Sequence, residues 1–195
     1  MLMCHAKLVI AYLRRPMTRK LFTLIAALAL AMPAFGQLAA PGADNSPKVG
    51  DMAPDFQIPG PQRGAPPSNL KDFEGKKKVL LMFFPGAFTP GCTTEFTEAG
   101  QSFDKFQAMN IELLGISADL PGAQAKFKET VGAKNTFVSD RSLAIAQKYD
   151  AAAPNNAKRY YFLIDETGKI AWKSTNNSLI PTDKLLTDLG QVAKK

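Results

Sequence analysis

Val79-Leu80-Leu81-Met82-Phe83-Phe84-Pro85-Gly86-Ala87-Phe88-Thr89-Pro90-Gly91-Cys92 carries the decisive change of pattern in this chain of 195 residues. Its first six residues are continuously apolar, as expected of a central strand covered on both faces. Pro85 and Gly86 end that strand. Thr89-Pro90-Gly91-Cys92 then has the grammar of a helix start: a Thr able to cap, a Pro at the first helical position, and residues whose amides have no intrahelical acceptor. A strand that feeds a turn and then a helix delivers the first helical residues to the open edge of a sheet. The residue delivered is a thiol, and the positive end of a helix dipole favours thiolate over thiol.

Outward from this stretch, strands and helices alternate. Phe96, Ala99, Phe103 and Phe106 recur at spacings of three and four, which predicts one amphipathic helix after Cys92. A strand over Ile111 to Ile116, a helix through Ala125, Phe127 and Val131, a short strand at Phe137 to Asp140 and a helix around Leu143 to Tyr149 follow. Asp150 to Lys158, with its Pro154-Asn155-Asn156 core, reads as a loop. Tyr160 to Ile164 and Lys169 to Lys173 make a hairpin around Asp165-Glu166-Thr167-Gly168. A last helix from about Thr182 is expected to bury Leu185, Leu186, Leu189 and Val192. Upstream, the globular part begins at Val49, followed by a Pro- and Gly-rich turn region from Pro59 to Pro67. The fold class is α/β: a single domain over 49–195 with a central mixed sheet flanked by helices. A thioredoxin-like arrangement fits this order, and order alone leaves other three-layer folds open.

Residues 1–36 read as an export signal. Arg14, Arg15, Arg19 and Lys20 form a basic region, Leu21 to Met32 an apolar one, and Ala34-Phe35-Gly36 supplies small residues before a cleavage expected at Gln37. The apolar stretch is short of the roughly 20 residues that span a bilayer. Met17 could serve as an alternative start. Residues 37–48 are rich in Ala, Pro, Gly and Asn and read as a flexible leader. The expected location is outside the cytoplasm, in the periplasm, with no membrane attachment after cleavage.

Cleavage changes the chemistry available. It removes five of the 24 Lys and Arg residues and none of the 17 acids, so the formal charge of +7 falls close to neutrality and argues for neither nucleic acid nor an anionic membrane. It also removes Cys4 and His5, leaving one cysteine and no histidine. No intramolecular disulfide and no His/Cys metal cluster can form. Cysteine hydrolases and transferases usually activate the thiol with a histidine base, and a Cys-x-x-Cys oxidoreductase needs a thiol where this chain has Glu95, so both of these chemistries are disfavoured. What survives is a lone thiolate acting on an electrophile that requires no general base, and a peroxide O–O bond is the obvious candidate. The bland reading of Cys92 is a small buried hydrophobe, the common fate of a free cysteine.

Pro85, Thr89 and Cys92 reproduce the peroxiredoxin pattern Pro-x-x-x-Thr-x-x-Cys. Phe83-Phe84 and Thr93-Thr94-Glu95 are similar to the same region of the Q-type (bacterioferritin comigratory protein) branch. Arg159-Tyr160-Tyr161-Phe162-Leu163-Ile164-Asp165 with Gly168-Lys169-Ile170 resembles the family's second signature, and Ile116 to Pro121 resembles the bacterial thiol peroxidase branch. The resemblance runs from about Val49 to the end of the chain, in the AhpC/TSA-type family. It implies a thiol-dependent peroxidase in which Cys92 is the peroxidatic nucleophile and becomes a sulfenic acid. Thr89 would hydrogen-bond the peroxide, Arg159 would stabilise the thiolate and the developing charge, and Pro85 would shield the sulfur. Glu95 has two readings, an orienter of Arg159 or a solvated acid at a helix start. Tyr160, Tyr161 and Trp172 read as core or dimer-contact aromatics.

The chain departs from these branches in lacking a resolving cysteine, with Thr97 and Lys128 at the positions where one is carried. The resemblance therefore implies a one-cysteine cycle on hydrogen peroxide or alkyl hydroperoxides, without a cofactor. The sulfenic acid would be reduced by an external thiol (a thioredoxin-like or glutaredoxin-like protein, or glutathione) or by way of a disulfide between subunits, in a monomer or homodimer. The alternative is a thioredoxin-fold redox-sensing or chaperone-like binding module without turnover.

Overall fold

The run from Val79 to Phe84 lies at the centre of a five-stranded sheet and is shielded on both sides, with no residue of it more than 1% exposed. A computed structural model describes residues 44–60 and 64–192; the expected export signal at 1–36 and leader residues 37–43 lie outside them. The described residues begin with a small antiparallel pair, β1 (Gln57–Ile58) and β2 (Ser68–Asn69), and a 3₁₀ turn at Leu70–Phe73. Then come β3 (Lys78–Phe83), α1 (Pro90–Gln101), α2 (Phe103–Ala108), β4 (Ile111–Ser117), α3 (Pro121–Val131) and β5 (Thr136–Ser139). The remainder is α4 (Ala144–Lys148), β6 (Tyr161–Ile164), β7 (Ile170–Ser174) and α5 (Thr182–Val192).

The sheet order is β5-β4-β3-β6-β7, with β3, β4 and β5 parallel and β6 and β7 antiparallel to their neighbours. This is the mixed sheet of a thioredoxin-like fold. Strand alternation divides the core in two. Val79, Leu81 and Phe83 join Leu114, Ile116, Phe162 and Ile164 on one face, while Leu80, Met82 and Phe84 join Tyr161, Leu163, Phe96, Phe106, Phe127 and Leu189 on the other. Cys92 belongs to the second face. Register places its neighbours: Met82 pairs with Tyr161, so the start of β6 lies beside the end of β3, where the chain turns into α1.

Three expectations need correction. The helix expected to run unbroken from Cys92 past Phe106 is two helices, because Ser102 leaves helical geometry at φ −96 and ψ 9. Gly and Ser hold a helix weakly, and Gly100 is pressed against the end of α3, where a Cβ would lie 2.9 Å from the Gly132 carbonyl oxygen. The helix expected from Leu143 to Tyr149 is confined to Ala144–Lys148, since Leu143 itself is left-handed at φ 58. The flexible leader expected to reach residue 48 does not include residues 44–48. Lys173 Nζ donates to Asp44 Oδ2 and Ser46 Oγ, each at 2.8 Å, and the Asn45 amide donates to Asp150 Oδ2 at 3.2 Å. Ser46 is buried. The partners lie more than 100 residues away, beyond the reach of local composition.

Candidate active site

The turn between β3 and α1 is braced from within and from the next strand. The Ala87 amide donates to Asp119 Oδ2 at 2.8 Å, and the Ser117 hydroxyl donates to the same oxygen at 2.8 Å. Phe88 adopts a left-handed φ of 61, a strained geometry for an aromatic residue, and lies half exposed with its ring edge-on to Phe127. Thr89 is the residue before the helix and Pro90 opens it, as the sequence predicts, but the Thr89 side chain makes no capping bond. Its hydroxyl donates instead to the Gly86 carbonyl at 3.1 Å. Pro85 is half-buried and Thr89 exposed, and no hydrogen bond joins either to Cys92 among the described residues.

Cys92 sits in the first turn of α1 with no exposed surface. Three residues on, Glu95 shares its helix face, and from across the sheet Arg159 reaches both. Arg159 Nη2 donates to Cys92 Sγ at 3.2 Å, and Nη1 donates to Glu95 Oε2 in a buried ion pair. Gly91 makes room for the guanidinium, since a Cβ there would lie 3.3 Å from Nη2. The Tyr161 hydroxyl donates to Glu95 Oε1 at 2.5 Å. From the β7–α5 connection, Asn177 Oδ1 accepts from the Arg159 amide at 2.7 Å, and the Ile180 amide donates to the Tyr161 hydroxyl at 3.4 Å.

The electrostatics follow from burial against pairing. Burial pushes the Glu95 carboxyl up to about 7, with Arg159 and the Tyr161 hydrogen bond pulling it down and Glu98 adding to the rise. Burial works to lower Arg159, but Glu95 and then Cys92 outweigh it, so the guanidinium stays charged. Tyr161 is raised above the ordinary phenol range by burial and then by the charge of Glu95. The structure thus brings Cys92, Arg159 and Glu95 together and decides Glu95 as the partner of Arg159 rather than a solvated acid.

Tyr161 was missed as a site residue. The available signal was strand alternation: residues 159 and 161 fall on one side of β6, and Tyr160 on the other. Asn177 and Ile180 carried no local signal.

Residues 49–173 match the model of the AhpC/TSA family. The chain belongs to this family of peroxiredoxins. Among curated relatives, Peroxiredoxin Bcp of Escherichia coli (strain K12) is 32% identical over 134 residues, which cover 65% of this chain and 84% of that protein. Among solved structures, peroxidoxin BcpB from Mycobacterium tuberculosis is 28% identical with a TM-score of 0.66, covering 74% of this chain and 97% of that one. The reduced 2-Cys peroxiredoxin of Plasmodium vivax is 29% identical with a TM-score of 0.67, covering 75% and 96%. This peroxiredoxin is therefore a thiol-dependent peroxidase by family, with the Bcp branch among its relatives. Cys92 is the free cysteine among its described residues.

Proposed function

We propose that this peroxiredoxin reduces hydrogen peroxide or alkyl hydroperoxides through a one-cysteine cycle at Cys92. The observation that carries the reading is the Arg159 guanidinium donating to the Cys92 sulfur at 3.2 Å in the first turn of α1. The thiolate attacks the terminal oxygen of ROOH; an S–O bond forms as the O–O bond breaks. The departing RO⁻ takes a proton and leaves as ROH, or as water when R is hydrogen. Cys92 is left as sulfenic acid, two electrons oxidised. Arg159 suits this transition state because its fixed fork of donors can follow negative charge from sulfur to the leaving oxygen. Thr89, released from the Gly86 carbonyl, donates to the peroxide, and Pro85 covers the sulfur.

An external thiol completes the cycle. It attacks the sulfenic sulfur, expelling water and forming a mixed disulfide; a second thiol then frees Cys92 and departs as disulfide. Thioredoxin-like or glutaredoxin-like proteins and glutathione supply this chemistry. Because Cys92 has no exposed surface, both steps require a local opening that brings its sulfur to the surface. That burial is also the observation favouring the alternative of a sensing or binding module without turnover. The two readings separate when the protein is given excess hydrogen peroxide together with dithiothreitol or glutathione. Many equivalents of peroxide consumed per Cys92 support the peroxidase; consumption that stops at one equivalent, or dimedone labelling of Cys92 no faster than of free cysteine, sinks it.

The order of basic, apolar and small residues in 1–36 supports export to the periplasm, where an oxidising environment demands that reducing equivalents be delivered. Sequencing of exported protein should begin at or near Gln37, and full-length chain in a membrane fraction would overturn this.

A further inference from the structure

The bonds around Tyr161 have a forced direction. The Ile180 amide can only donate, so the hydroxyl oxygen accepts from it and the hydroxyl proton goes to Glu95 Oε1. A guanidinium can only donate, so Arg159 points Nη1 at Glu95 Oε2 and Nη2 at Cys92 Sγ. Glu95 is then an acceptor at both oxygens, the role of an ionised carboxylate. A protonated Glu95 could give its hydrogen only to Tyr161, reversing that bond.

Resting on the reading of Cys92 as the peroxidatic nucleophile, we infer that Tyr161 is a positioning residue for peroxide reduction: its hydroxyl holds Glu95 charged and in place, and Glu95 thereby keeps Arg159 Nη2 on the Cys92 sulfur. The guanidinium is a rigid plane, so fixing one amino group on Glu95 sets the direction of the other. Two anchors from the β7–α5 connection keep the arrangement in register, Ile180 on Tyr161 and Asn177 on the Arg159 backbone. The groups that act on Glu95 are Arg159, Tyr161 and, from its own helix, Glu98. Burial and Glu98 oppose its ionisation; Arg159 and Tyr161 support it. Removing the Tyr161 hydroxyl tips this balance while leaving the ring in the core.

The test uses the full chain, three single variants, Tyr161→Phe, Glu95→Gln and Tyr160→Phe, and the Glu95→Gln/Tyr161→Phe double variant. Two quantities are read: the rate of Cys92 oxidation by hydrogen peroxide, and the rate of its alkylation by iodoacetamide across pH. Loss of a hydrogen bond to a charged group corresponds to a rate loss of about 10- to 100-fold. Tyr161→Phe is expected to show it and to move the alkylation profile toward higher pH. Glu95→Gln should give a similar loss, and Tyr161→Phe added to it should give no more. Tyr160→Phe, altered on the opposite face beside Phe162, should match wild type. Wild-type rate and profile in Tyr161→Phe, or losses that multiply in the double variant, overturn the inference. If Tyr161→Phe does not fold, a wild-type alkylation profile in Glu95→Gln overturns it alone. Slow oxidation of the wild type refutes the peroxidase reading instead, and the alkylation profiles, which need no peroxide, still test the relay.

Discussion

Replacing Arg159 with Met keeps an apolar stem of similar reach but deletes the donors to Glu95 and Cys92, and the consequence for stability depends on pH. Glu95 is 2% exposed and would keep only the Tyr161 bond. A buried charge robbed of its partner costs about 3–5 kcal/mol, unless the carboxyl takes up a proton. Burial already raises Glu95 from 4.5 to about 7 against the pull of Arg159, so the variant value lies higher still. A carboxyl raised on folding contributes stability that is intact below its unfolded value and lost as pH rises through its folded value. Wild type and variant therefore lose stability in parallel from about pH 4.5 to about 7. Above that the wild-type loss levels off while the variant continues to fall, by about 1.4 kcal/mol per pH unit, until the gap has widened by roughly 3–5 kcal/mol. Urea unfolding followed by Trp172 fluorescence, in a Cys92→Ser background so that the thiol does not titrate, measures the gap. A gap that is constant across pH, or that narrows above pH 7, refutes the reasoning. With Cys92 present, Arg159→Met should also slow oxidation by peroxide by about 10²- to 10³-fold, the scale of losing a preorganised donor to developing charge.

Thr89→Val should slow peroxide oxidation about 10- to 100-fold through loss of one hydroxyl donor while leaving the alkylation profile at the wild-type position; a displaced profile would move Thr89 from peroxide binding to thiol activation. Gly115→Ala places a Cβ 2.7 Å from two ring atoms of Phe137 and 3.0 Å from Phe96 Cζ. Overpacking of this kind costs about 1–3 kcal/mol, read as a lower urea midpoint at unchanged slope, and an unchanged midpoint would mean that the rings have room to move. The Lys173 hydrogen bond, and then Ser46, hold the Asp44 carboxyl well below the usual carboxylate range. The docking of residues 44–48 is therefore present above that range and lost as pH falls through the lowered value. Protection of the Asn45, Ser46 and Lys48 amides, taken relative to their intrinsic exchange rates, should fall on acidification in wild type and be lower at every pH in Asp44→Asn; equal protection in the two proteins would remove this contact from the docking.

Much of the architecture was legible because it rests on local pattern. Six apolar residues with no polar interruption require a strand covered on both faces, and Pro90 after Thr89 requires the chain to enter a helix just before Cys92. The same stretch, with the Arg159 signature far along the chain, is enough to point to the family to which the chain belongs. Local pattern was less reliable where elements meet. Periodicity across Ser102 survives a change of helix axis, and the pressure of Gly132 on Gly100 is invisible in the sequence of α1. The attachment of Asp44 and Ser46 depends on Lys173, and nothing near residue 44 announces it.

The sequence by itself determined the strand, the turn, the helix start and the thiol that stands on it, because these follow from hydrophobic continuity and from backbone groups within a few residues. It also presented Arg159 as a partner, though not the path by which the charge arrives. Only the tertiary structure decided that Glu95 is buried and paired, that Thr89 turns its hydroxyl to Gly86 rather than to the helix amides, and that Tyr161 belongs to the site. The antiparallel register of β3 and β6 sets Tyr161 beside Met82, and α1 packs Glu95 over that junction. Whether a carboxylate is solvated or locked depends on what covers it, and here the cover comes from strands and connections more than 60 residues away.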